Sequence, residues 1–243
     1  MNVFAGAALL GFGVGLGPAN AENKLMGVVE LFTSQGCSSC PPADKLLQSY
    51  AKRDDVLALS FHVDYWNYLG WQDTFSKARF TERQYRYAAS FNRRGVYTPQ
   101  AIINGRTHVV GSRGEEVASL LKAYGDSNKG LTTSLAVSQS DGVIRISSDS
   151  AESATLWLVT YYKSRAVDIK RGENRGKSIT YHNVVRDISM LGMVKDGVLD
   201  LSLPVAELAR SDADGRALVL QKTTKDGKPG PIIGAARVDM PPS

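Results

Sequence analysis

Cys37 and Cys40 are the only two cysteines of the chain, and Ser38 and Ser39 separate them. Two thiols at this spacing, between an apolar strand-like run (28–32) and a helical pattern opened by Pro41-Pro42, are the sequence form of a dithiol/disulfide redox centre. Exchange with another disulfide proceeds through a thiolate, so one sulfur must be reachable and its pKa lowered. A helix N-terminus lowers it by aiming unpaired backbone N–H groups and the positive end of the macrodipole at the sulfur. Cys37 is positioned to gain from this and is assigned as the attacking cysteine, with Cys40 resolving. The competing reading is a passive staple. In the chain-entropy model a four-residue loop contributes only about 1.9 kcal/mol, against about 4.7 for a hundred-residue loop, so a staple gains little from this spacing. Pro41 also biases Cys40 away from the α region, which predicts a late helix start.

Other side chains capable of chemistry lie further along. His62 and Asp64 share parity on a strand and predict a common face, where one of them accepts a proton from Cys40 during exchange. The plainer alternative is a hydrogen-bonded strand histidine with a carboxylate in the next turn. Trp66, Tyr68 and Trp71 form either the wall of a peptide cleft or the packing of an inserted lid, and the lid is preferred. Arg79, Arg83 and Arg86 recur at helical spacing; such a stripe orients an acidic partner or a thiolate, or is simply a solvated face. The charged segment 171–177 either touches the redox half or is a surface hairpin, and the residues do not choose between them. Metal binding is the rival chemistry: two thiolates with His62, His108 or His182 make a copper or zinc set. The chain has no second cysteine pair and no paired-histidine motif, so neither a metal nor a cofactor is expected.

The elements that must position these residues read in two textures. Up to about residue 124 the order is strand (27–32), helix (44–51), strand (56–65), helix (73–92), a hairpin around Asn104-Gly105, and a helix capped by Ser112 and Glu115. A polar linker (125–130) follows. Beyond it come strand-like runs at 131–138, 143–147, 155–162, 179–190, 198–203, 217–222 and 232–238, with turns at Asp141-Gly142, Asp196-Gly197 and Asp226-Gly227. Seven short strands with such turns predict an antiparallel all-β sandwich. The expected division is a signal peptide at 1–21, an α/β domain at 22–126 and a β-sandwich domain at 130–243. The leader reading rests on an apolar opening that ends at Ala19-Asn20-Ala21, although no basic residue precedes it. It predicts a periplasmic or secreted protein, in a compartment where a cysteine pair can stay oxidised. With 29 basic against 24 acidic residues the net charge is +5, too diffuse to imply nucleic acid. No apolar run reaches the length of a membrane span.

The strand–CxxC–helix unit, combined with Thr98-Pro99 entering a hairpin strand, resembles the thioredoxin superfamily over residues 25–124. The resemblance implies an α/β thioredoxin-like fold, a cis Pro99 beside the cysteine pair, and Thr98 exposing backbone groups to a bound peptide. Thioredoxins carry a tryptophan just before the first cysteine, where this chain has Gln35-Gly36. The segments Val29-Glu30-Leu31-Phe32-Thr33-Ser34-Gln35-Gly36-Cys37, Cys40-Pro41-Pro42-Ala43-Asp44, His62-Val63-Asp64-Tyr65-Trp66 and Tyr97-Thr98-Pro99-Gln100 together look like a narrower family. Its members are exported bacterial proteins of uncharacterised function with a thioredoxin-like domain. The expected function is therefore an exported thiol–disulfide oxidoreductase or disulfide-handling protein. Cys37 and Cys40 would be its catalytic pair, Thr98 and Pro99 would bind substrate, and its partners would be protein thiols or disulfides of the cell envelope. The alternatives are a redox-silent envelope scaffold and a copper chaperone.

Overall fold

The computed structural model describes residues 25–148, 152–194, 197–209 and 212–240. The leader expected at 1–21 lies outside them, as does Asp196 of one expected turn. Strands β1 (Gly27–Thr33) and β2 (Val56–His62) are buried along their whole length. That is the behaviour of near-continuous apolar runs covered on both faces. They pair in parallel from Gly27↔Val56 to Thr33↔His62. β3 (Gln100–Ile103) lies antiparallel to β1, and β4 (Thr107–Val110) antiparallel to β3. Helices α1 (Pro41–Ala51) and α3 (Gly114–Gly125) pack Leu47, Tyr50, Val117 and Leu121 against Val29, Leu31 and Ile103. Helix α2 (Ala78–Ser90) covers the opposite face with Phe80 and Tyr87 against Phe32, Phe61 and Ile102.

All seven strands expected in the second half form, but they do not close into one self-contained sandwich. β7 (Ala154–Asp168), β8 (Ser178–Val194), β10 (Gly215–Thr223) and β11 (Pro229–Arg237) extend the first sheet. The result is an eight-stranded mixed sheet of order β11-β10-β7-β8-β2-β1-β3-β4. β5 (Ala136–Ser140), β6 (Val143–Ser148) and β9 (Leu199–Pro204) make a second, three-stranded sheet. Ile144, Ile146 and Leu199 of that sheet pack on Leu156, Leu158, Leu218 and Leu220 of the large one. A short helix α4 (Val205–Ala209) follows β9.

The junction is β8, whose Val184 pairs in parallel with Ser60 of β2. The Asn183 amide, from a residue at φ 46°, donates to the Ala58 carbonyl at 2.8 Å. Alternation of apolar residues predicts that a strand is half-buried, and is silent about which strand covers its edge.

Three local expectations are corrected. α1 begins at Pro41, three residues early, with Cys40 as its N-cap in the α region (φ −78°, ψ −35°). Prolines at the first two helical positions lack only N–H groups that would otherwise go unpaired, and this outweighs the pre-proline bias. α3 lacks the Ser112/Glu115 box, because Gly114 N–H turns back to the Ser112 carbonyl and Arg113 pairs with Glu116 at 3.0 Å. The β3–β4 turn spans three residues, 104–106, because the Asn104 side chain accepts the Val28 N–H at 2.7 Å and is held in the sheet. Among the described residues, no helix is long and apolar enough to cross a membrane.

Candidate functional site

β1 delivers the chain into a tight turn at its C-terminal end. Cys37 N–H bonds the Ser34 carbonyl at 3.2 Å, Cys40 N–H bonds the Cys37 carbonyl at 3.2 Å, and α1 starts immediately after. Cys37 and Cys40 form a disulfide with their Cα atoms 5.4 Å apart. Pro41 and Pro42 have no N–H, and the amides of Ala43 and Asp44 both go to the Cys40 carbonyl. The hydrogen-bonding groups at Cys37 Sγ are therefore hydroxyls rather than the helix amides anticipated from sequence. Thr98 Oγ1 donates to it at 3.3 Å, and Ser39 Oγ lies 3.4 Å away.

Thr98 lies just before β3, the strand paired with β1, and its bond to Pro99 is cis. Its hydroxyl accepts the Trp66 indole N–H at 2.8 Å. An indole nitrogen only donates, so Thr98 Oγ1 is the acceptor there, and its own proton has two acceptors within reach, Cys37 Sγ and the Tyr65 hydroxyl. Pro99 packs against Gly111, where an added Cβ would meet the Pro99 Cβ at 3.3 Å. The structure thus places the Thr98 hydroxyl beside Cys37, with Pro99 next to it in the chain and against Gly111.

Access is the main departure. Cys37 and Cys40 are both 0% exposed, and only Ser38 and Ser39 of the turn face solvent. Two segments supply the cover. The stretch after β2 brings Trp66 against Gly36, where a Cβ would meet the Trp66 Cβ at 3.1 Å. Glycine before the first cysteine is thus the residue that admits a tryptophan from elsewhere in the chain. Trp71 donates its indole N–H to Gln35 Oε1 at 2.8 Å, while Tyr68 points to solvent. The second cover is the tip of the β7–β8 hairpin. Asn174 is 1% exposed and donates to the carbonyls of Gln35 at 3.0 Å and Cys37 at 2.8 Å. Glu173 accepts the Ser38 N–H at 3.2 Å. Sequence reasoning left segment 171–177 undecided and missed Asn174. The signal available was an amide residue between two glycines in a loop otherwise made of charges.

Beneath the turn lies a buried titratable cluster. Thr33 donates to Asp44 Oδ1 at 2.8 Å, and His62 Nδ1 lies 2.8 Å from Asp73 Oδ2, which also accepts the Gln35 N–H at 2.7 Å. Burial pushes the Asp44 carboxyl up to about 7, against the opposing pull of His62 and the Thr33 hydroxyl. Burial acts in the same direction on Asp73, but His62 and the amides of Gln35 and Phe75 outweigh it, so its pKa is lowered. Burial, reinforced by the charges of Asp44 and Asp73, raises the Tyr181 hydroxyl. The histidine's partner is therefore Asp73 and not Asp64. Asp64 instead accepts the Thr81 hydroxyl at 2.6 Å.

The arginine stripe is divided: Arg79 and Arg86 are exposed, as on a solvated face, whereas Arg83 turns inward. Arg83 lies 2.8 Å from the buried Glu30, Arg79 pairs with Asp187, and Arg86 donates to the Gly227 carbonyl. These contacts tie α2 to the neighbouring strands. His108 sits beside Tyr97 and Arg93, and His182 lines a cleft of about 290 Å³ with Lys52 and Tyr161. Among the described residues, no three metal-capable side chains converge.

Fold and site together define a mixed α/β protein built on one broad sheet, with a covered, disulfide-bonded C-x-x-C turn at the end of a central strand. The chain belongs to the family described as "protein of unknown function (DUF1223)", whose model matches residues 28–221. It is also similar to an Agrobacterium tumefaciens protein solved by X-ray crystallography. That protein is 37% identical, with a TM-score of 0.80 over 88% of this chain and 94% of the other. Among curated proteins none matches.

Proposed function

We propose that this protein is a thiol–disulfide oxidoreductase of the cell envelope, with Cys37 as nucleophile and Cys40 as resolving cysteine. In the reduced form, the Cys37 thiolate attacks one sulfur of a client disulfide and expels the other as a thiolate. Cys40 then attacks Cys37 Sγ, which restores the internal disulfide and releases the second client sulfur. The client gains two electrons, and the two protons come from the two cysteine thiols.

The observation that carries this reading is the Thr98 hydroxyl, whose Oγ1 lies 3.3 Å from Cys37 Sγ as a donor. A hydrogen bond to a charged acceptor is worth roughly 1.5–3 kcal/mol, so this donor favours the thiolate over the thiol. A thioredoxin-like reading of residues 25–124 is supported by the strand order β2-β1-β3-β4, with α1 and α3 on one face and α2 on the other. The cis Thr98–Pro99 bond beside the pair supports it as well. An exported location is supported by the disulfide, which persists in oxidising compartments.

A second reading, a redox-silent envelope scaffold, is favoured by the complete burial of both cysteines. One experiment separates the two. Cys40→Ser protein, mixed with envelope extract and alkylated, accumulates mixed disulfides through Cys37 if the pair exchanges with clients. Absence of such adducts, with wild-type protein resisting dithiothreitol until it unfolds, supports the scaffold and rejects the oxidoreductase.

A further inference from the structure

We propose that the tip of the β7–β8 hairpin is a redox-linked latch over the cysteine turn, docked while Cys37 and Cys40 are bonded and released when they are reduced. The proposal rests on the reading of the pair as redox-active.

The tip is a compact unit of its own. Ile169 N–H bonds the Lys177 carbonyl at 2.9 Å, Gly176 N–H bonds the Ile169 carbonyl at 2.8 Å, and Arg175 N–H bonds the Gly172 carbonyl at 3.1 Å. Ile169 is buried at the base of the tip, whereas Arg171, Glu173, Arg175, Gly176 and Lys177 are exposed. Its hold on the cysteine turn is almost wholly polar: both donated bonds of Asn174 and the Glu173–Ser38 contact. Gly172, at φ +75°, also approaches the Trp71 stretch, where a Cβ would meet the Trp71 Cβ at 3.2 Å. Lys177 Nζ donates to Asn174 Oδ1 at 2.8 Å, which orients the amide so that its N–H groups face the turn. A segment held by a few polar bonds and little apolar burial opens at low free energy without disturbing the core.

Two of the three groups that receive the latch, the Cys37 carbonyl and the Ser38 N–H, belong to the ring closed by the disulfide, and the third, the Gln35 carbonyl, lies two residues before it. The Cys37 carbonyl takes both the Cys40 N–H and the Asn174 amide, and Ser38 N–H points to Glu173. While the sulfurs are bonded, those backbone groups are fixed in orientation. Two-electron reduction by an external dithiol, which is itself oxidised to a disulfide, breaks the S–S bond and places a proton on each sulfur. The turn then loses the cross-link that aligned its carbonyl and amide, and the latch loses pre-oriented partners. Linkage makes the effect reciprocal: if docking favours the oxidised form, undocking favours reduction by the same factor. The latch also removes one of the two covers, since it lifts from Gln35 and Cys37 at the stage when Cys37 must meet a client.

The test uses the full-length protein. Hydrogen exchange of segment 170–177, compared with dithiothreitol-reduced and oxidised wild-type protein, is expected to speed up on reduction by on the order of tenfold, while β1 and β2 stay protected. Asn174→Ala is expected to raise the equilibrium constant for reduction by dithiothreitol about tenfold, a shift of about 30 mV. Lys177→Met, which leaves the amide in place but unoriented, moves it in the same direction by less. Equal exchange of 170–177 in both redox states overturns the latch, as does an unshifted equilibrium in folded Asn174→Ala. The wild-type exchange comparison stands even if that variant fails to fold. Failure of Cys40→Ser to trap clients, with reduction still loosening 170–177, removes the proposed function and leaves the latch standing.

Discussion

Two buried polar clusters flank the first strands, and they are built differently. On the α2 face, Glu30, Arg83, Tyr87 and Gln221 satisfy one another. Arg83 donates to Glu30 at 2.9 Å and to Gln221 Oε1 at 2.9 Å, Tyr87 donates to Glu30, and Gln221 donates to Tyr87 at 2.7 Å. Below the cysteine turn, Thr33, Asp44, His62, Asp73 and Tyr181 are just as buried. Yet Asp44 Oδ2, His62 Nε2 and the Tyr181 hydroxyl have no hydrogen-bond partner among the described residues. A completed network locks a structure together, whereas an incomplete one keeps titratable groups poised in low dielectric. The first cluster is therefore an anchor joining α2 to β1 and β10. The second is the place where proton occupancy responds to pH.

The comparison can be broken most forcefully at the anchor. Arg83→Ala strands Glu30 in the core and is expected to lower stability by about 3–5 kcal/mol in denaturant unfolding. A loss below about 1 kcal/mol would show that the knot is not an anchor.

The second cluster answers through pH. The Asp44 carboxyl is raised from 3.8 to about 7 in the folded state, so the native protein holds that proton more tightly than the unfolded chain does. Its contribution is present in full below the unfolded value and is lost as pH rises through about 7. The largest difference is on the order of 4 kcal/mol, from 1.36 kcal/mol per pKa unit. Asp44→Asn should therefore remove this pH dependence, leaving the variant more stable than wild type at pH near 8 relative to pH near 4. Parallel stability profiles for the two proteins would discard the assignment.

Smaller effects sharpen the site itself. Thr98→Val removes the hydroxyl at Cys37 Sγ and is expected to slow alkylation of reduced Cys37 near neutral pH by about tenfold. An unchanged rate would mean the hydroxyl does nothing for the thiolate. Gly36→Ala pushes a methyl group toward Trp66 and is expected to reduce stability by about 1 kcal/mol, read from thermal unfolding. If that variant is as stable as wild type, the Trp66 cover is looser than its contacts imply.

Much of the first half was legible because its signals are local. Apolar runs of strand length, two prolines after Cys40 and Asn104-Gly105 between short apolar segments each act within a few residues. The same holds for Asp141-Gly142, whose residues both have positive φ (52° and 73°) in the β5–β6 turn. The misreadings share the opposite property. Asp73 was read into α2, but its carboxylate turns inward to His62 and the helix begins only at Ala78. Arg83 was read as part of a solvated face because helical spacing says nothing about Glu30, fifty-three residues away in sequence.

What the sequence by itself determined is the cysteine turn: a strand, four residues closing a short ring, and a helix opened by prolines, with Thr98-Pro99 marked as a special step. Those features arise from backbone sterics and short loops, which act between neighbours in the chain. Only the tertiary structure decided that β8 would join β2, that His62 would meet Asp73, and that Asn174 would close over the turn from 137 residues away. Such contacts depend on which edges and polar groups remain to be covered once the sheet has formed. No local pattern records that choice.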